Sequence, residues 1–327
     1  MQNVWTCSLI GALLLFGCNE NDLQILTIEE AFVTESYAEK NVDSLAEVTY
    51  ADGKSAVFCT AKESDEVLVL DGEDGKLLKT LGGQGTEVGK FSRPNGIAIS
   101  GNFLYVVERD NHRIQGFKLP GLEPAGIFGT DKLIRPYGIW VSPISESGEF
   151  DIYIADQPKD EGGFVTIFKG KKTETGPSLT FAKTVGKGTL RKVESIWGDP
   201  ENDQLLIAQE SKTDPHHKVY TLAGEPTDKK LGSGLFKDDP EGLVLYKPEG
   251  KPGYWICVDQ GDKVTLFHVF EQKTLKYITT FKGKQTANTD GICLRAKSNP
   301  PRLYAIDDDA RVTAIDLPSE FTPIQSQ

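Results

Sequence analysis

The amino-acid sequence predicts an all-β fold, a six-bladed β-propeller. Short runs of alternating apolar and polar residues recur along the chain, rich in β-branched and aromatic side chains and separated by turns rich in Gly and Asp. They group into six similar units of about 40–55 residues with up to four strands each, a repeat typical of propellers. No segment shows the 3.6-residue period of a long helix.

Each unit opens with one or two polar residues, a Gly or another small residue, and an apolar strand. The six first strands are VDSLAEVTY (42–50), PNGIAIS (94–100), PYGIWVS (136–142), VESIWGD (193–199), PEGLVLY (240–246) and TDGICLR (289–295). The second strands are SAVFCTA, NFLYVVE, DIYIADQ, QLLIAQE, GYWICVD and RLYAIDD. The third strands are VLVLD, RIQGFKL, FVTIFKG, HKVYTLA, LFHVFEQ and RVTAIDL, and four units add LLKTLG, PAGIFG, FAKTVG or YITTFKG.

The sixth unit ends near Leu317 after three strands, so its outer strand is missing. The segment QILTIEEAFVTE, residues 24–35, has strand character and belongs to no other unit. We expect it to close the ring by pairing with the last blade, because open strand edges invite aggregation. Residues 24–320 then form one propeller domain and 321–327 a tail. A two-domain β-sandwich is disfavoured because no linker-like break divides the chain.

Composition excludes some classes of partner. The 327 residues are 38% hydrophobic and 26% charged, as in globular proteins, and the net charge is −12. An acidic chain lacks the basic footprint that nucleic-acid binding requires. It also does not attract a polyanion from a distance, so an anionic substrate needs local Lys, Arg or metal ions. We expect a monomer with a small substrate.

The N-terminus resembles an export signal. The apolar run Leu9 to Phe16 is too short to span a bilayer, and LLFGC resembles the lipobox of bacterial lipoproteins. The resemblance implies a signal peptide over 1–18, lipidation of Cys18, a tether over 19–23 and anchoring to the outer membrane, on its periplasmic or surface side. A plain secretory signal or an N-terminal anchor is the alternative. The remaining cysteines, Cys59, Cys257 and Cys293, lie in strand-like runs, where we expect small buried side chains.

In a propeller, the first strands line a central channel, and the repeat therefore gathers equivalent polar residues into rings. We expect the residues that precede the first strands to form one ring: Asp43, Asn95, Tyr137, Glu194, Glu241 and Asp290. The residues that end the second strands form a nearby second ring: Lys62, Glu108 or Arg109, Asp156, Glu210, Asp259 or Gln260, and Asp307.

So many carboxylates facing one channel require cations. Oxygen ligands favour hard divalent ions, above all Ca²⁺. Zn²⁺ is disfavoured because the four histidines are not at ring positions, and His216 and His217 fall in a polar stretch where we expect a solvated turn. Lys62, Arg109, Arg135 and Tyr137 interleave with the acids, and this mixture suits a phosphate ester attacked by metal-bound water. Capping of turns is the competing interpretation for each single acid.

Residues 238–294 resemble the β-propeller phytases, through the run DDPEGLVLY, the following GYWICVDQG and the segment TDGICL. VESIWGDPENDQLLIAQES, residues 193–211, resembles another segment of that family. The resemblance implies phosphomonoester hydrolysis, with phytate or a related ester as substrate, several calcium ions, and Glu194, Glu241 and Asp290 as catalytic residues. It implies that the metal ligands are Asp43, Glu194, Glu210, Asp239, Glu241, Gln260 and Asp290, and that the phosphate is held by Lys62, Arg109, Tyr137 and Lys159.

Two departures leave alternatives open. The first motif of the phytases has paired aspartates before a proline, whereas NVDSLAEV has only Asp43. Residues 82–113 look like an NHL repeat, in which ERDNHR forms a turn and Arg109 is a turn residue. The alternative functions are therefore a non-catalytic NHL-like binding propeller and a lactonase-like hydrolase that uses Glu194, Asn95 and Asp290 around one cation.

Overall fold

The computed structural model describes residues 25–159, 162–211 and 213–322 and confirms a six-bladed β-propeller. Six sheets, antiparallel except for one edge strand, follow one another around a central axis, and each innermost strand contacts the innermost strands of both neighbouring blades. One turn of 3-10 helix, Ala38–Lys40, precedes the first blade. Within the described residues, no helix has the length and apolar character needed to cross a bilayer.

The first three blades each have four strands, ordered from the axis outward. Blade 1 contains β3 (Val42–Thr49), β4 (Ser55–Ala61), β5 (Glu66–Asp71) and β6 (Leu77–Gly82). Blade 2 contains β7 (Pro94–Ser100), β8 (Phe103–Glu108), β9 (Arg113–Lys118) and β10 (Glu123–Phe128). Blade 3 contains β11 (Pro136–Val141), β12 (Glu149–Asp156), β13 (Phe164–Lys172) and β14 (Pro177–Val185).

The last three blades follow the same order until the ring closes. Blade 4 contains β15 (Lys192–Asp199), β16 (Gln204–Glu210), β17 (His216–Tyr220) and β18 (Pro226–Leu231). Blade 5 contains β19 (Asp239–Tyr246), β20 (Tyr254–Gln260), β21 (Leu266–Glu271), β22 (Tyr277–Gly283) and, at its edge, β1 (Leu26–Ile28). Blade 6 contains β23 (Ile292–Arg295), β24 (Arg302–Asp307), β25 (Arg311–Asp316) and β2 (Glu30–Val33).

Six apolar clusters hold the blades together, one at each interface between neighbours. Between blades 2 and 3, for example, Tyr105 packs on Phe150 with ring centroids 6.2 Å apart. The predicted burial of Cys59, Cys257 and Cys293 is confirmed. Alternate residues of each strand contribute to the clusters on its two sides, which is why the strands have few polar positions in their interiors.

Close contacts between successive inner strands bring the backbone around the axis. In four of the six blades the small residue of the first-strand motif is Gly, where an added Cβ meets the carbonyl oxygen of a ring residue on the next blade. The distances are 2.3 Å from Tyr137 at Gly96, 2.2 Å from Glu194 at Gly138, 2.7 Å from Asp290 at Gly242 and 2.6 Å from Asp43 at Gly291. Glycine at these places therefore reflects close packing of the inner strands. Blades 1 and 4 have Ser44 and Ser195 there.

The N-terminal segment closes the ring by pairing with the last blade, as predicted, and it also pairs with blade 5. Glu30–Val33 pairs antiparallel with β25 of the last blade, as expected. Leu26–Ile28 instead pairs in parallel with β22 of blade 5. The segment crosses between the two blades at Glu30, whose Oε1 accepts hydrogen bonds from the backbone N–H of Gln285 at 3.0 Å and from the N–H and Oγ1 of Thr286 at 3.0 and 2.8 Å. One strand segment thus ties the last two blades to each other.

We expect Glu30→Ala to destabilise the ring by about 1–3 kcal/mol at neutral pH, because the carboxylate accepts several hydrogen bonds. Burial raises the pKa of Glu30, but these hydrogen bonds outweigh it and the folded-state pKa is lowered. The stabilisation is present above the pKa of the unfolded chain and is lost as pH falls through the folded value. Urea unfolding at several pH values measures this difference.

The matched control is Glu29→Ala, since Glu29 makes only an exposed ion pair with Lys284, 2.7 Å apart. Its effect should stay within about 0.5 kcal/mol. Equal losses for the two variants, or a Glu30→Ala loss that does not shrink in acid, contradict the role assigned to Glu30.

Candidate functional site

One end of the central channel opens into a polar cavity of about 220 Å³. All six residues of the predicted first ring line it: Asp43, Asn95, Tyr137, Glu194, Glu241 and Asp290. Lys62, Glu210 and Gln260 line it as well, together with Ser44, Ser195, Gly96 and Gly138. The repeat therefore brings five carboxylates, one ammonium and two amides to one place.

An irregularity in the inner strands accompanies the ring residues. In each of blades 1 to 5 the register of the innermost pair shifts across the ring residue and the small residue after it, for example between Pro94 and Ile97 and between Pro240 and Leu243. Such bulges redirect a side chain and are common next to functional sites. The next aliphatic residue of each blade lines the adjoining, more apolar part of the channel: Leu45, Ile97, Ile139, Ile196, Leu243 and Ile292.

The second ring is only partly as predicted: Lys62, Glu210 and Gln260 line the cavity, and the other predicted residues do not. Asp156 and Asp307 were expected at the channel, and this is wrong; of the two alternatives in blade 5, Gln260 lines the cavity and Asp259 does not. Each of the three aspartates caps the loop that enters its own blade: Asp156 accepts from the N–H of Ile134 and Arg135 at 2.9 and 2.6 Å, Asp259 from Lys237 and Asp238 at 3.0 and 2.8 Å, and Asp307 from Ala287 at 3.0 Å. Because strand side chains alternate, the next residue points the other way, and in blades 4 and 5 that residue is Glu210 or Gln260, which line the cavity.

Blade 2 shows the same capping in the NHL-like segment. Glu108 is fully buried, accepts from the N–H of Ser92 at 3.1 Å and from Arg113 Nε at 2.6 Å, and is also bound by Gln115 at 2.8 Å. Arg113 and Gln115 in turn donate to the carbonyl oxygen of Lys90 at 2.9 and 2.6 Å. These buried polar residues hold the loop between blades 1 and 2 and do not reach the cavity.

Arg109 and Lys159, both predicted to hold phosphate, lie away from the cavity lining. Arg109 forms an ion pair with its neighbour Asp110, Nε to Oδ1 at 2.7 Å, as the turn interpretation of this segment expects. It also lies near Tyr137, which does line the cavity. Lys159 is exposed. Asp239 begins β19 beside Gln260 and is half-buried outside the cavity lining.

The blade 1 and blade 6 side of the cavity is internally paired. Asp43 accepts from Lys62 Nζ at 3.1 Å, from Asn95 Nδ2 at 3.2 Å and from Ser44 Oγ at 3.2 Å. Asp290 accepts from Gln260 Nε2 at 2.8 Å and lies 3.8 Å from Lys62 Nζ. Burial lowers the pKa of Lys62, but the nearby carboxylates outweigh burial and raise it, so the ammonium is charged.

The blade 4 and blade 5 side is not paired in this way. Glu241 is 6% exposed and makes no hydrogen bond or ion pair with any described residue. Glu194 also has none among the described residues, whereas Glu210 forms an ion pair with Lys192 on the rim. Burial, followed by repulsion from the neighbouring carboxylates, raises the pKa of Glu241 well above its ordinary value and that of Glu194 to about 8.

Lys192 was missed by the sequence analysis. It lies two residues before Glu194, the same offset that places Arg93 before Asn95 and Arg135 before Tyr137. This repeated offset in the sequence could have predicted Lys192, since it places a basic residue at the same position in three consecutive blades.

The histidines correct another expectation. His216 and His217 are not in a solvated turn but begin β17, and they are 3% and 0% exposed. His217 packs on Phe236, as does His268, which bonds Asp259 at 3.2 Å. Burial lowers the pKa of His217 to about 3, so its ring is neutral at neutral pH. None of the three lines the cavity.

The oxygen atoms that line the cavity are candidate ligands for a metal ion. All of the acids in the cavity offer oxygen, the ligand that hard cations prefer. Asn95 is 6% exposed, and its Oδ1 is buried without a hydrogen-bond partner among the described residues. As placed, no three His, Cys, Asp or Glu side chains of the described ranges converge at metal-binding distances.

Comparison with known proteins agrees with the propeller. Residues 91–117 match the NHL repeat, in the blade where the sequence predicted one. No curated protein matches the chain in sequence. Hydrazine synthase of Kuenenia stuttgartiensis has 13% identity, covering 90% of this chain and 77% of that one, with a TM-score of 0.50. A structure of a nidogen/laminin complex has 18% identity over 74% of this chain and 80% of that one, with a TM-score of 0.52. At these identities the similarity shows the fold alone: a six-bladed β-propeller with an NHL repeat in its second blade.

Proposed function

We propose that this protein is a calcium-dependent phosphomonoester hydrolase, phytase-like, with its active site in the carboxylate cavity of the channel. The observation that carries the proposal is the state of Glu241. Its carboxylate is 6% exposed and has neither a hydrogen bond nor an ion pair with a described residue. Burying an ionised carboxylate without a partner is costly, and a bound cation removes that cost.

The residues present fit a hard divalent cation. Glu241, Glu194 and Glu210 belong to neighbouring blades and line the same cavity. The side chains of Glu241 and Glu194 are not held by hydrogen bonds, so their carboxylates are able to turn towards a shared ion. Asn95, whose Oδ1 has no hydrogen-bond partner among the described residues, lines the same cavity beside Asp43. Calcium accepts six to eight oxygen ligands in flexible geometry, which suits a site whose glutamates are not fixed by hydrogen bonds.

The remaining groups of the cavity suit a phosphate. Lys62 presents a charged ammonium with three donors, and Tyr137 adds a hydroxyl from blade 3. A bound calcium ion supplies charge neutralisation and an activated water. The adjoining part of the channel is lined mainly by aliphatic side chains, which do not bind phosphate, so we expect the ester to bind at the carboxylate end. The resemblance of residues 238–294 to β-propeller phytases supports the same assignment.

Phosphate release from phytate and from p-nitrophenyl phosphate tests the proposal. Purified protein with excess Ca²⁺ is expected to release phosphate. EDTA is expected to lower the rate of release by at least about 100-fold, since the attacking water depends on the ion. Hydrolysis of a lactone panel without phosphate release would assign the site to lactonase chemistry instead. The absence of both activities contradicts an enzymatic role.

A non-catalytic binding propeller is the second candidate, favoured by the NHL repeat at residues 91–117. Calorimetric titration separates the two. Calcium binding with phosphate release supports the hydrolase, whereas a stable fold that takes up no calcium supports the binding propeller.

We also propose that the protein acts as a monomer exported and held at the outer membrane through a lipid on Cys18. That residue and the rest of the predicted signal and tether lie outside the described residues. Membrane fractionation of cells that express the full chain tests the anchor. Recovery of the protein only in the soluble fraction contradicts it.

A further inference from the structure

The cavity is divided into two halves with different charge balance. In one half, Asp43 and Asp290 share Lys62 and also accept from the amides of Asn95 and Gln260. In the other half, Glu241 and Glu194 have no partner among the described residues. The acids of the paired half come from blades 1 and 6, and the acids of the unpaired half come from blades 4 and 5.

Lys62 occupies the place that a cation takes between two carboxylates. Its Nζ lies 3.1 Å from Asp43 Oδ2 and 3.8 Å from Asp290 Oδ2, and its side chain is only 15% exposed. The residue follows β4 directly, and its backbone N–H donates to the carbonyl oxygen of Asn41 at 2.8 Å, which fixes where the side chain starts. A lysine held in this way is a permanent part of the protein, unlike an exchangeable ion.

We propose that Lys62 is a built-in counter-ion that fills one of two cation positions in the cavity, so that the native protein takes up a single divalent cation, at Glu194, Glu210 and Glu241. This inference rests on the proposed function for the identity of the ion. The arrangement agrees with it: Asp43 and Asp290 already share the ammonium of Lys62, whereas Glu241 and Glu194 have no hydrogen bond or ion pair with a described residue.

A second consequence concerns the half that Lys62 fills. Without the ammonium, Asp43 and Asp290 face each other with no positive charge between them, and the unpartnered Oδ1 of Asn95 belongs to the same wall. Oxygen ligands left in this state bind hard cations. Removing Lys62 should therefore create a second cation position.

Calorimetric titration of Ca²⁺ into the full protein tests the inference. The native protein is expected to bind one ion, and Lys62→Met two. Lys62→Gln, which keeps a polar side chain without the charge, serves if Lys62→Met does not fold. The control is Lys40→Met, which removes a partly buried ammonium that pairs with Glu66 at 2.6 Å outside the cavity; this variant should still bind one ion.

The outcomes separate this inference from the proposed function. Two or more ions in the native protein, or no additional ion in either Lys62 variant, overturns the role of Lys62. No ion in the native protein but one in the Lys62 variants overturns the calcium-dependent function while supporting Lys62 as the occupant of a cation position. Thermal unfolding adds a readout that does not depend on activity: calcium should raise the midpoint of Lys62→Met by more than that of the native protein.

Discussion

Replacing Glu241 with glutamine is expected to make the calcium-free protein more stable and the calcium-loaded protein inactive. In the absence of calcium, Glu241 has no partner among the described residues, and its raised pKa means that it takes up a proton when the chain folds at neutral pH. A neutral amide of the same shape removes that cost, by about 2 kcal/mol. With calcium, the variant lacks a charged ligand, and its affinity should fall by at least about 100-fold. In urea unfolding, Glu241→Gln should therefore be more stable than the native protein with EDTA and less stable than the native protein with Ca²⁺.

This reversal of relative stability between the two conditions distinguishes a calcium ligand from a merely structural residue. A structural glutamate that becomes glutamine shifts stability in the same direction with and without calcium. Glu249→Gln is the matched control, because Glu249 is exposed on the same blade and should change neither relative stability nor phosphate release. If Glu241→Gln retains full activity, Glu241 is not part of the site.

Gly138→Ala is expected to disrupt the propeller itself. A Cβ at this position lies 2.2 Å from the carbonyl oxygen of Glu194 and 3.1 Å from the Cα of Ser195, both of which are backbone atoms on the next blade. Backbone cannot yield as a flexible side chain does, so the inner strands of blades 3 and 4 must separate. The expected loss is at least about 3 kcal/mol, measured by chemical unfolding. Because Glu194 lies at this contact, calcium binding should weaken too.

Gly116→Ala provides the comparison for that prediction. Gly116 also lies inside a strand, β9, but an added Cβ there meets its nearest atom, on Phe128, at 3.4 Å, an ordinary contact. Alanine is less costly than glycine to order in a strand, so this change should be neutral or slightly stabilising. Similar losses for the two glycines would show that the contact between blades is not what requires Gly138.

The alternation and the six-fold repeat were sufficient to predict the propeller and the first ring. Glu194, Glu241 and Asp290 occur at one offset in their units, and any closed ring of such units places equal offsets at equal radius. The predicted NHL-like blade was found for the same reason, since its turn residues are local in sequence. Local spacing and repetition therefore carried the fold and six residues of the cavity.

The second ring was only half predicted, because the sequence does not say which of two neighbouring residues at a strand end faces the axis. Asp259 and Gln260 are adjacent, yet one caps a loop and the other lines the cavity. The register of β20 against β19 decides between them, and a shift of one residue exchanges the two faces. The tertiary structure alone supplies that register.

What the sequence by itself determined is the class of fold and the ring that repetition creates. What only the tertiary structure decided is the pairing between parts of the chain that are far apart: Leu26–Ile28 on blade 5, the burial of His217, and Lys62 between Asp43 and Asp290. The physical reason is that alternation and turn chemistry act over a few residues, whereas charge balance and packing depend on neighbours that closure of the ring brings together.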